Sequence, residues 1–411
     1  MRKKQTMIRI SPLENPVREY AWGSRSAIQD LLGLPEEARS RPMAELWMGA
    51  HPTAPSRVWD GSSWVRLDLA VEQDAERLLG RKVAEAFGGV LPFLFKVLAA
   101  AQPLSIQVHP AAASAREGFQ RENREGVPLN DPRRTYKDPF HKPELLCAVA
   151  PFTALQGFRP VEEALRLIGR VAGSSLCQEI RGLEAKPDEE GLRRFYSALL
   201  GLDPERRRIV TAEAIHRAAR NADSDAAFAW MARLGEACPG DIGILSPALM
   251  NLVTLRPGEA LYVGPGELHA YLEGVGLEIM ANSDNVIRGG LTPKPVNLEE
   301  LLGHAIFRPG SVEPLLPEDQ SSGDRVYACP AREFLLTEVP VSRRQDRVYQ
   351  GTGGVEIFFC LKGSCKVTDL GTGQEISATR GNALLVAAVV ESYRVQGEAV
   401  LYRASIPDFV S

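Results

Sequence analysis

The sequence predicts a mainly β protein with a helical insertion: two antiparallel β units and one block of helices. Three observations carry this. Apolar runs of strand length, punctuated by Gly and Pro, fill residues 1–160 and return after 239. Residues 161–238 change to Ala/Leu/Arg/Glu-rich segments with apolar positions at i, i+3 and i+4. From 311 to 411 almost every segment again reads as strand. The expected division is therefore a first β unit from 1–160 and 239–310, a helical insertion at 161–238, and a second β unit at 311–411. A 411-residue chain that is 44% hydrophobic has the material for two or three cores.

Taken in order, "RISPLENPVREYAWGS" is a Pro/Gly-punctuated strand region, and one helix is expected over Asp74–Phe87. "LPFLFKVLAA" and "PLSIQVHP" read as consecutive core strands. Helices follow in "VEEALRLIGRVAG", "EEGLRRFYSALLGL", "ERRRIVTAEAIHRAARNA" and "DAAFAWMARLGEAC". This block is placed to close over a cleft, but nothing in it reads as catalytic, and His216 is an ordinary surface or packing histidine. "MNLVTLRPGEALYVGPGELHAYLEGVGLEIMANSDN" returns to strands with Gly-Pro turns, and "VNLEELLGHAI" is a short helix. The tail segments "EFLLTEVPV", "VEIFFCLKGSCKVTDL", "NALLVAAVV" and "AVLYRASI" are strands. No exact repeat is present, although both β regions share a strand–Gly turn–strand pattern.

Composition excludes several classes. Lys+Arg total 48 against Asp+Glu 52, a net charge of −4, so no basic field points to nucleic acid or a membrane surface. Six cysteines, none in a CxxC pair, fit reduced thiols used as small hydrophobes. The N-terminal stretch MRKKQTMIRI has charge but no apolar h-region, and no run is long enough for a membrane span. The expectation is a soluble cytoplasmic protein, a monomer or weak homo-oligomer.

Chemistry concentrates in three stretches. Alternation along "PLSIQVHP" puts Gln107 and His109 on one strand face. "YKDPFHKPELLCAV" carries His141, Lys142 and Glu144 ahead of an apolar strand, and "GPGELH" puts His269 after a tight turn. Two imidazoles, a carboxylate and an amide oxygen suit a borderline cation such as Zn2+, and their single negative charge leaves it Lewis-acidic. The "GPGELH" turn resembles the second metal motif of cupins. The Gln107/His109 pair resembles the first, with glutamine in place of one histidine. This implies cupin-like antiparallel jelly-roll β units. The sequence departs from that pattern in the long loop before Glu144. In "GNALLVAAVVESYRV" Ala, Val and Glu stand where a cupin would keep its turn histidine, so the second β unit is expected to be metal-free.

"YAWGS", "ELWMGAHP", "FLFKVL", "PLSIQVHP", "YKDPFHKPEL" and "SDNVIRGGLTPK" occur together and in order over about Pro12–Lys294. In this the chain resembles the type I mannose-6-phosphate isomerases. The resemblance implies one zinc per chain, held by Gln107, His109, Glu144 and His269, with Arg288 as the active-site arginine. It also implies a phosphorylated hexose as substrate, isomerised through a cis-enediol, and a place in mannose metabolism and GDP-mannose supply. Phosphate contacts are expected from Ser105, which shares the face of Gln107, from Lys96, whose burial demands an anion, and from Lys294. Lys142, Asp284 and Glu278 are the leading candidates for the base; Tyr271 and His51 rank behind them, among the substrate contacts. His141 and His304 are expected to be structural. The competing readings are an inactive sugar-binding bicupin and an iron cupin oxygenase.

Overall fold

The computed structural model describes residues 7–172, 175–344 and 346–407. Its first sheet has ten strands and turns on one long strand, His269–Ala281. The second half of that strand pairs antiparallel with Phe93–Ala100 on one side and Glu144–Ala148 on the other. Its first half pairs with Phe152–Phe158, and His269 itself pairs with Gln107 of the short strand Ile106–Val108. The change of partners falls at Gly274, whose φ is +138°. A Cβ there would lie 2.6 Å from the Pro151 carbonyl, so only glycine turns this corner.

The helices cover the outer side of this sheet. Helices Val161–Ala172, Glu189–Leu200, Pro204–Arg220 and Ala226–Ala237 are amphipathic, and the last three begin at Asp188, Asp203 and Asp225, whose side chains cap backbone N–H groups. Their apolar faces share one core with Ile106, Val108, Leu155, Leu268, Ala270, Leu272 and Ile287. The helical block therefore backs the strands that carry Gln107, His269 and Arg288. The expectation that it closes over a cleft is corrected by this packing. Strand alternation explains it: the apolar positions turn to the helices and the polar ones turn the other way. His216 is exposed.

The second sheet has eleven strands, and eight of them lie between Glu318 and Ser405. The other three come from the start of the chain. Ile10–Glu14 pairs with Ala383–Val386, in the register Ile10↔Val386, and Arg57–Trp59 and Trp64–Arg66 extend the sheet beyond it. Hydrogen bonding thus cuts across the boundary that composition suggests, because the N-terminal strand covers an edge of the C-terminal sheet. A common core joins the two sheets, with Phe95 edge-on to Phe359 at 6.5 Å.

The single helix expected over Asp74–Phe87 is two helices, Ala75–Leu79 and Arg81–Phe87. They break at Gly80, φ +92°, where a Cβ would strike the Gly353 carbonyl of the second β unit. The six cysteines are free; Cys147, Cys360 and Cys365 are buried and Cys177 is exposed. Among the described residues no helix is long and apolar enough to cross a membrane.

Candidate metal centre

The sheet register lines up the centre. Gln156, His269, Gln107 and Arg288 face one another on four adjacent strands, Gln156↔His269, His269↔Gln107 and Gln107↔Arg288. Registered neighbours point to the same side, so one row carries an imidazole, two amides and a guanidinium. His109 follows the strand by one residue, and Glu144 opens the next. His109, Glu144 and His269 are buried, and one ligand atom from each lies within 4.8 Å of the others.

Hydrogen bonds fix both imidazole tautomers. His109 Nδ1–H donates to the Asn285 carbonyl at 2.8 Å, and His269 Nδ1–H donates to the Glu267 carbonyl at 3.0 Å. Each ring therefore offers a lone pair at Nε2. His109 Nε2 stands 3.1 Å from Glu144 Oε1, and His269 Nε2 stands 3.5 Å from Glu144 Oε2. His109 Nε2 is buried without a hydrogen-bond partner. Three acceptors converge with no proton to share, which is the environment a divalent cation completes. Burial holds His109 neutral, its pKa brought down to about 4 against the pull of Glu144. Burial also opposes charge on Glu144, but the Lys142 ammonium outweighs it and holds the carboxyl well below the usual range. The donor set fits zinc: two imidazole nitrogens and one carboxylate converge, with Gln107 beside His269 in the sheet.

Two of the other expected residues touch Glu144. Lys142 Nζ is 2.9 Å from Glu144 Oε1, and the Tyr271 hydroxyl donates to Glu144 Oε2 at 3.1 Å. Gln107 Nε2 donates to Ser105 Oγ at 3.2 Å, so both side chains lie on one face. Arg288 is half-buried, and burial lowers its pKa. His51 Nε2 lies 3.4 Å from Asp284 Oδ1, and both line a cavity of about 610 Å3 that also touches Lys137 and Asp138. Burial opposes charge on Asp284 as well, yet its hydrogen bond to His51 and the nearby cations lower its pKa. Lys294 is exposed on the loop after Arg288.

Lys96 departs from expectation. Its Nζ is 2.8 Å from Glu278 Oε2 and 3.4 Å from Glu45 Oε1, so the protein itself supplies anions for this buried charge. Burial opposes the ammonium, and the two carboxylates overcome that and raise its pKa. Glu278 is itself pushed up by burial, against Lys96. His141 binds Glu333 of the second β unit at 2.7 Å, and His304 binds the Tyr136 hydroxyl at 2.8 Å. Sequence reading missed Glu45, Gln156 and Asn285. Alternation in "ELWMGAHP" places Glu45 and Trp47 on one face, which was the available signal for the first; nothing local marks the other two.

A buried two-histidine, one-carboxylate centre inside an antiparallel β unit, ringed by lysine, arginine and acidic side chains, defines a metal-dependent enzyme of the cupin type. The family description "phosphomannose isomerase type I, catalytic domain" matches residues 10–161. The mannose-6-phosphate isomerase of Escherichia coli (strain K12) is 39% identical over 396 residues, 96% of this chain and 99% of that one. The enzyme of the same name from Homo sapiens is 33% identical, covering 92% of this chain and 94% of its own. The solved structure of a lysine-to-alanine variant of phosphomannose isomerase from Salmonella typhimurium superposes with a TM-score of 0.89 at 35% identity, covering 97% and 99% of the two chains. A zinc-bound mannose 6-phosphate isomerase superposes at 0.88 with the same identity and coverage. The chain belongs to the mannose-6-phosphate isomerase family.

Proposed function

We propose that this chain interconverts mannose 6-phosphate and fructose 6-phosphate as a zinc enzyme, moving a proton between C1 and C2 of the open-chain sugar through a cis-enediol. The observation that carries the reading is the convergence of the His109, His269 and Glu144 acceptors on one point, beside Lys142 and the row that holds Gln107 and Arg288. Gln107, His109, Glu144 and His269 would hold the zinc, which would supply fixed positive charge for the oxygens of the reacting sugar carbons. Arg288, beside Gln107 in the sheet, presents a planar donor fork where negative charge develops on the enediolate. Lys142 is assigned the C1/C2 proton, because its Nζ already lies at the centre. The His51–Asp284 pair, on the wall of the large cavity, offers the donor and acceptor that ring opening requires. Tyr271 braces Glu144, and Glu278 forms an ion pair with Lys96 within electrostatic reach of Glu144 and Lys142. Ser105 and Lys294 are left for the phosphate. The second β unit, 311–411, serves packing, and the activity places the chain in mannose metabolism, at GDP-mannose supply.

The test is a coupled assay with mannose 6-phosphate before and after chelation, alongside metal analysis of the purified chain. About one zinc per chain and activity lost to the chelator, then restored by zinc, are expected. Full turnover by a chain stripped of metal would overturn the reading.

A further inference from the structure

Two segments that meet beside the centre have no helix or strand of their own: 137–143, which leads into Glu144, and 282–286, which leads into the strand of Arg288. Pro139 and Pro143 remove two N–H groups from the first, and its remaining polar groups still need partners. Two side chains supply them, one from each segment.

Asn285 is 1% exposed. Its Oδ1 accepts from the Lys137 N–H at 2.7 Å, and its Nδ2 donates to the Asp138 carbonyl at 2.7 Å and the Phe140 carbonyl at 2.8 Å. One amide thus acts as a strand partner for the first segment. Only a side chain with both donors and an acceptor does this; a carboxylate lacks the donors. Asp138 returns the contact. Its Oδ2 accepts from the Asp284 N–H at 2.7 Å, and its Oδ1 accepts from the Ser283 hydroxyl at 2.8 Å and the Phe140 N–H at 3.0 Å. Ser283 Oγ also accepts from the Asn285 N–H at 3.2 Å, which closes the loop of bonds. The same Asn285 offers its carbonyl to His109 Nδ1–H.

We infer that Asp138 and Asn285 are positioning residues: a reciprocal clasp that orients the His109 ring and sets the Lys142–Glu144 segment against the strand of Arg288. The inference rests on the metal reading above. Neither residue is a metal ligand or a proton-transfer group of the proposed reaction, although Asp138 lines the cavity. The clasp acts through the Asn285 carbonyl on one ligand and through the 137–140 backbone on the approach to another. It gives the "KDP" and "SDN" motifs a task that the reaction itself does not.

The experiment measures zinc affinity by chelator competition, with kcat and KM at saturating zinc, for the full chain and for Asn285→Ala, Asp138→Ala and Asp138→Asn. Circular dichroism and metal-free melting show which variants are folded. Asn285→Ala and Asp138→Ala are expected to weaken zinc binding by about 10–100-fold, the range for partners that orient metal ligands. Asp138→Asn keeps an acceptor for Ser283 and is expected to recover most of that loss. At saturating zinc, kcat falls more than KM rises. A folded Asn285→Ala chain with wild-type zinc affinity would overturn the clasp, since loss of stability alone leaves the folded state's metal affinity unchanged. Should Asn285→Ala not fold, Ser283→Ala, which removes one hydroxyl shared by both partners, carries the same two-way test: weakened zinc binding supports the clasp and unchanged binding overturns it. Wild type that binds no zinc overturns the metal reading and this inference with it, whereas a zinc-binding wild type matched by its variants overturns the clasp alone.

Discussion

Replacing Lys96 by methionine keeps the length and apolar stem of the side chain and deletes its charge. The ammonium it removes sits between Glu278 at 2.8 Å and Glu45 at 3.4 Å, with side-chain exposures of 7%, 4% and 9% for the three groups. Glu45 keeps one other donor, the Trp47 indole N–H at 2.9 Å, but Glu278 loses its counter-ion. Breaking a buried pair from one side costs about 3–5 kcal/mol, because a charge is left buried without compensation. Lys96→Met is therefore expected to lose that much in equilibrium unfolding of the metal-free chain. Adding Glu278→Gln removes the stranded charge. The double variant is expected to be more stable than the sum of the single losses implies, by about 2–3 kcal/mol, at the upper end for residues in contact. A phosphate-binding lysine would behave otherwise: its loss would raise KM and leave the fold nearly untouched. If Lys96→Met unfolds within about 1 kcal/mol of wild type, as an exposed pair would, and the double cycle is additive, the buried ion-pair account is refuted.

Arg288→Ala is expected to cut kcat by at least ~10²-fold in the coupled assay, the scale for losing one donor aimed at developing charge; unchanged turnover removes Arg288 from the mechanism. The metal-free chain is expected to be acid-sensitive through His109. Burial holds its pKa down to about 4, against an ordinary 6.5, so between these values the unfolded chain binds a proton that the folded chain does not. Stability is then level above about pH 6.5 and declines as the pH falls towards 4, by up to about 3 kcal/mol. Glu144, also depressed, extends the loss below the ordinary carboxylate range. Unfolding midpoints measured from pH 7 to 4 that stay flat would contradict the neutral, buried imidazole.

Much of the site is legible because local periodicity sorts residues by face. In "PLSIQVHP" the apolar Ile106 and Val108 go to the core shared with the helices, so Gln107 and His109 are left to the other side. The helical insertion is legible for the same reason at a period of 3.6. What periodicity does not carry is the identity of a partner. Nothing near Ile10 names Val386 as its neighbour, because that register is decided by edges and cores assembled from the far end of the chain. Gly80 reads as a tolerable helix glycine until the Gly353 carbonyl arrives from the second β unit and splits the helix. Lys96 is the sharpest instance. Its place in an apolar strand states that an anion must be near, and the resemblance to a sugar-phosphate enzyme made a phosphate the natural choice. Two strand neighbours, Trp47↔Lys96 and Glu278↔Lys96, bring Glu278 and the Glu45 beside Trp47 to the ammonium. A buried polar residue thus specifies a demand, and only the sheet register specifies what meets it. That is why the residues that hold the centre in place, Asn285 above all, are visible only once the strands are paired.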